Sequence, residues 1–116
     1  MVYDSNFIKP LQIHKTYGAK DIPGITVLDI KRSSLANKKY AITISYNGQT
    51  STVNYGDKRY QQYEDRTPLG IYHNLDHHDD NRRNSYLARA SKIKNHQGLA
   101  VNDPFSPDRY ALITLW

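Results

Sequence analysis

The stretch KYAITISYNGQTSTVNYG, Lys39 to Gly56, constrains the fold of this chain more than any other. Tyr40, Ile42, Ile44 and Tyr46 alternate with Ala41, Thr43 and Ser45, the period of a strand with one apolar face. Asn47-Gly48 follows, and a type I′ turn needs positive φ at both central residues, which Asn and Gly tolerate best. Gln49–Gly56 then reads as the return strand, with Ser51, Val53 and Tyr55 on one face. Upstream, GITVLDIK (Gly24–Lys31) enters through Pro23-Gly24 and joins the hairpin by the loop SSLANKK. Together these segments predict a three-stranded antiparallel meander whose edge must be covered.

The next organised stretch, DHHDDNRRNSYLARASKIK, runs from Asp76 to Lys94 with acids first and bases last. Asp79 or Asp80 suits a helix N-cap, since a carboxylate accepts orphan N–H groups at the positive helix end. Tyr86, Leu87, Ala90 and Ile93 recur at helical spacing, Asp79 stands at i,i+4 to Arg83, and Gly98 offers a stop. The expectation is a helix over Asp79–Lys94 that packs on the meander. Its inward set is Leu87, Ala90 and Ile93, meeting Ile42, Ile44 and Val53. The fold class is therefore α+β: a small antiparallel meander packed by one amphipathic helix, with extended N- and C-terminal segments. Residues 1–23 read as an N-terminal extension, and 24–116 as one small domain with an aromatic tail. In that tail, PFSPDRYALITLW, alternation of Tyr110, Leu112 and Thr114 up to Trp116 predicts a strand ending in an anchor. So apolar a run must pack on its own domain or on a partner, and Phe105, Tyr110 and Trp116 are the candidate interface anchors.

Charge adds a second constraint. The net charge is +5, and residues 82–94 alone carry +5 through Arg82, Arg83, Arg89, Lys92 and Lys94. Residues 31–39 carry +4 through Lys31, Arg32, Lys38 and Lys39, which leaves −4 for the remainder. Two concentrated basic patches point to an acidic partner, either a phosphate backbone or an acidic protein face. Those nine cations and Tyr86 are the candidate partner- or phosphate-binding residues. Ten of thirteen aromatics are tyrosine, a residue with an apolar body and a polar tip that suits interfaces.

Other chemistries find less support. The chain has no cysteine, which removes disulfides, thiolate metal sites and cysteine nucleophiles. His73, Asp76, His77, His78, Asp79 and Asp80 crowd eight residues. However, capping accounts for the acids, and Pro68, Gly70 and Asn74 place the histidines in a loop, so no metal and no cofactor are expected. No Gly-rich phosphate loop or nucleophile elbow is present. MVYDSNFIKPLQIHK lacks the apolar core of an export signal and no run approaches membrane-spanning length, so neither secretion nor membrane insertion is expected.

VNYGDKRYQQY (Val53–Tyr63) followed by HHDDNRRNSYLARASK (His77–Lys92) resembles a small domain family of large DNA viruses of algae and amoebae and of some tailed phages. That family pairs a strand ending in an aromatic-Gly step with a His-x-Asp-x-x-Arg-x-x-x-Tyr-x-x-Arg-His helix and a Trp-containing tail. The matching positions are Tyr55-Gly56, His77 or His78, Asp79 or Asp80, Arg82 or Arg83, Tyr86, Arg89 and Tyr110 to Trp116, so the resemblance covers residues 38–116. The chain departs from the pattern at Arg59, where the family has Gly, and at Ala90, where it has His. It also carries an inserted loop, Arg66–Asp76. The resemblance implies a viral context without a mechanism.

The expected function is thus a non-enzymatic virion structural protein, whether minor capsid, cement or inner-shell component, of a DNA virus or phage. Its partners would be capsid or other virion proteins, met in the host cytoplasm or nucleus during assembly. The alternative is a basic accessory protein that binds nucleic acid through the two patches. A small metal-dependent enzyme or nuclease is the third class considered.

Overall fold

A computed structural model describes residues 3–116; the first two residues of the expected N-terminal extension lie outside the described residues. The molecule is α+β. Strands β1 (Thr26–Arg32), β2 (Lys38–Tyr46) and β3 (Gln49–Asp57) form an antiparallel sheet in the order β1-β2-β3. The register sets Ile30 opposite Ile42 and Ile42 opposite Val53, and it pairs Tyr40 with Tyr55. One face of the meander is thereby apolar from edge to edge. Asn47 and Gly48 sit at φ 50° and 77°, the left-handed pair that a two-residue turn requires.

The helix α1 (Gln12–Thr16) follows a short 3-10 turn at Ser5–Ile8. This N-terminal segment is laid against the body: Ile8 and His14 are buried, and the Tyr3 amide donates to the Val27 carbonyl at the outer edge of β1. Helix α2 (Asp80–Ala90) starts as its acids dictate, with the Asp79 carboxylate accepting from the Asn81 and Arg82 amides. It ends a turn earlier than the periodicity predicts. Ile93 is 43% exposed, because residues 91–99 leave the helix for a small hairpin of β4 (Lys94–Asn95) and β5 (Gly98–Leu99). Gly98, at φ 108°, belongs to that hairpin and does not cap the helix.

The largest correction concerns the tail. Residues Pro107–Leu115 are a helix, α3, and not a strand. Ser106 Oγ accepts from the Asp108 amide, Pro107 occupies the first turn and Asp108 adds an acid there, all of which favour a helix start. Helix α3 is buried almost all round, so it carries no polar stripe to mark a 3.6-residue period. It also takes the place expected of α2. Tyr110 and Leu115 pack into the sheet's core with Tyr40, Ile42 and Tyr55. Leu112 and Ile113 join a second cluster with Leu87, Ala90 and Val101. The order through the molecule is therefore sheet, α3, α2, and the inward side of α2 meets α3 instead of the meander.

Candidate functional site

Gly56 stands at the end of β3 with φ 76°. A Cβ there would lie 3.0 Å from Leu115 Cδ1 and 3.1 Å from Lys39 Cβ. The aromatic-Gly step thus lets α3 approach the end of β3, and that approach opens a groove of about 730 Å³ beside it. One wall is the face of α2 carrying Arg82, Ser85, Tyr86 and Arg89, spaced as one helical stripe. The opposite wall is α3, through Asp108, Ala111 and Leu115, ending at Trp116. Lys38, Asp57 and Gln61 close the third side.

At the groove's centre the Trp116 and Tyr86 rings stack, with centroids 4.2 Å apart and planes within 8°. The His77 ring is also near the indole, tilted by 57° with its centroid 5.2 Å away. The Arg89 guanidinium lies 5.8 Å from the Tyr86 ring centroid, within cation–π range. Arg82 Nη1 donates to Gln61 Oε1 at 2.9 Å, which holds it against the rim. Burial pushes the Tyr86 hydroxyl up to about 12, with Asp108 adding to the rise and Arg89 opposing it. Asp57 is already engaged by Arg59 at 2.7 Å, so it subtracts little from the positive rim. The groove therefore offers an apolar, aromatic floor with exposed cations Lys38, Arg82 and Arg89 above it.

Several expected binding residues are engaged in the fold or lie elsewhere. Lys39 borders the groove but is only 2% exposed. Its ammonium donates to the Tyr60 carbonyl at 3.0 Å and to Gln62 Oε1. Burial lowers its pKa to about 8, against the opposing pull of Asp65, Asp57 and Asp76. It is a structural cation, since the loop after β3 folds over it. Arg83 points away from the groove: Nε donates to the Trp116 carbonyl at 2.7 Å, and the guanidinium lies 4.1 Å from the Tyr63 ring centroid. Lys31 and Arg32 are exposed on β1, with Arg32 near the Tyr72 ring. Lys92 and Lys94 are exposed beyond the end of α2, outside the groove. Of the proposed anchors, Tyr110 is fully buried against Tyr55 and serves the core. Phe105 packs edge-on to Tyr46. Trp116 alone of the three reaches the groove.

The histidines of the acidic loop are engaged separately. His73 Nδ1 meets Asp76 at 2.9 Å, and His78 Nε2 meets Glu64 at 3.2 Å. His77 Nδ1 accepts from the Asp79 amide at 2.9 Å. Among the described residues, no three His, Asp or Glu side chains converge on one point as metal ligands would. Asp108 and Ala111 of the α3 wall are groove residues that the strand expectation for the tail does not contain. The Ser106-Pro107-Asp108 run was the signal for the helix. Compared with family models, curated proteins and solved structures, the chain matches none of them.

Proposed function

We propose that this chain is a non-enzymatic component of a DNA virus or phage particle that holds a segment of a neighbouring virion protein in the α2–α3 groove. The observation that carries this reading is the groove itself: an aromatic and aliphatic floor beneath three exposed cations. Aromatic side chains and arginine dominate interface hot spots because they bury large area at low entropic cost. The resemblance over residues 38–116 supplies the viral context; of the residues that carry it, Gly56, Arg82, Tyr86, Arg89 and Trp116 line the groove, whereas Tyr55, His77, His78, Asp79, Asp80 and Tyr110 do not. A phosphate backbone is the second reading, favoured by the exposed cations Lys38, Arg82 and Arg89 along one groove. Asp108 on the wall argues for protein over polyphosphate, because a carboxylate in the channel repels every phosphate that passes.

Charge reversal tests the proposal. Arg82→Glu with Arg89→Glu changes exposed positions and should cost about 1–2 kcal/mol, through the lost Gln61 hydrogen bond, the lost Tyr86 contact and an acid in the last turn of α2, which leaves the chain folded. Copy number in purified particles, counted by mass spectrometry, is expected to fall sharply. Full incorporation of the folded variant would refute the groove. The nucleic-acid reading would displace it if the wild type bound single-stranded oligonucleotide with log K falling against log salt by about 0.7 per phosphate contacted.

A further inference from the structure

The meander has two outer edges, and they are built differently. The edge of β1 is guarded. Its register slips between Val27 and Asp29, the Tyr3 amide donates to the Val27 carbonyl, and Asp29, Lys31 and Arg32 add charges along the strand. Bulges and charges are devices that keep an edge from pairing with another chain. The edge of β3 has none of them from Gln49 to Asn54: QTSTVN contains no charge and no proline, and its register with β2 is unbroken. Tyr46 and Gln49 flank a two-residue turn, so they form a hydrogen-bonded pair, and by alternation Ser51 and Val53 bond to β2 as well. The backbone groups of Thr50, Thr52 and Asn54 therefore point away from β2. Among the described residues, no other backbone group meets them. At its far end this edge leads into the groove, since Gly56 and Asp57 line both. Asp57 is held by Arg59, and Asp108 is the one further acid in the groove lining, so the exposed Lys38, Arg82 and Arg89 outnumber it.

We propose that the neighbour's segment is an extended strand that adds to the outer edge of β3, antiparallel to it, with acidic side chains at its N-terminal end inside the groove. This rests on the groove as the partner site and names what enters it. An added strand gains main-chain hydrogen bonds from Thr50, Thr52 and Asn54, while side-chain pockets supply the selectivity. Antiparallel addition continues the sense of the meander, and it sets the partner's N-terminal end where β3 finishes, beside the groove cations. A second copy of this chain fits less well. Paired symmetrically about Thr52, it would bring its uncharged Asn47-Gly48 turn to Asp57 and leave Lys38, Arg82 and Arg89 without acids.

The test titrates the full, isotope-labelled chain with an end-blocked peptide, Glu-Asp-Glu-Thr-Val-Thr-Val-Thr, and with the same peptide carrying lysine in place of each acid. Amide exchange is followed residue by residue by NMR, a readout that needs no variant. The acidic peptide should bind and slow exchange at Thr50, Thr52 and Asn54, and the lysine peptide should do neither. Thr52→Pro removes an outward N–H at an exposed edge position and spares the ladder to β2. It should weaken the acidic peptide several-fold, as should Arg82→Glu with Arg89→Glu. Binding that leaves those amides unprotected, or that falls with the charge reversal but not with Thr52→Pro, would refute the added strand and leave the groove standing as a partner site. No binding of the acidic peptide, or equal binding of the lysine peptide, would overturn the acidic strand, while copy number in particles judges the groove separately. Protection of the same amides that rises with protein concentration alone would assign the edge to a second copy and overturn the proposal.

Discussion

His14 shows how much one buried side chain can impose on the molecule. Its ring is fully buried, Nδ1 accepts from the Leu11 amide at 2.9 Å, and Nε2 lies 3.3 Å from Arg66 Nη2. Burial first, then the positive charges of Arg66 and Arg83, lower its pKa from 6.5 to about 3. Between those two values the unfolded chain binds a proton that the native state refuses. Stability therefore falls as pH drops below 6.5, by at most about 1.4 kcal/mol per unit from this residue. Urea denaturation at pH 7 and pH 5 should show a clear loss in the wild type and a smaller one in His14→Gln. Equal losses would mean that the ring is not held neutral. Gly56 is the second residue on which the architecture depends. Gly56→Ala places a methyl in a left-handed backbone and against Leu115, and should cost about 1–3 kcal/mol in chemical denaturation. A neutral result would show that α3 does not press on β3.

At the scale of elements, α3 is the member whose ends are most completely tied. Its last carbonyls are each taken: Ile113 by Arg66 Nη2, Thr114 by the Arg66 amide at 2.9 Å, Leu115 by the Glu64 amide at 3.1 Å and Trp116 by Arg83 Nε. A helix normally leaves these groups to water. Here a loop and two cations serve them, and cations at the negative helix end are favourable. Arg83→Ala should therefore destabilise by about 1–2 kcal/mol through the lost hydrogen bond and the lost contact with Tyr63. Ser106→Ala, at the other end, should cost about 1 kcal/mol. Amide hydrogen exchange would locate both effects in α3 and leave β2 and β3 protected; uniform loss across the sheet would contradict the assignment.

For the whole molecule, the decisive feature is that α3 belongs to both hydrophobic clusters. The radius of gyration is 13.2 Å, close to the roughly 13 Å expected of a compact chain of this length. Segments from both ends of the chain are therefore drawn into one body. Removal of residues 109–116 takes Tyr110, Leu112, Ile113 and Leu115 from the core. Each such loss costs about 2–5 kcal/mol, against a typical total stability of about 5–15 kcal/mol. The truncated chain should not fold, and circular dichroism should show an unfolded spectrum with no cooperative melt. A truncated chain that melted cooperatively would show that the sheet is stable alone.

The meander, its Asn47-Gly48 turn and the start of α2 at Asp79 or Asp80 were determined by the sequence itself. Each rests on interactions between residues that are near neighbours: alternation, positive φ, and a carboxylate capping amides two and three positions on. Tyr86, Arg89 and Trp116 stand out in the sequence one by one as an aromatic, a base and a terminal indole, but nothing in it says that they meet. Only the tertiary structure decided that the tail is a helix, because a helix buried all round displays no periodic polar face. It also decided that Lys39 and Arg83 are structural and that Lys38, Arg82 and Arg89 share a groove. Burial and convergence depend on which surfaces pack together, and α3 is the element that brings the sheet and α2 to one site.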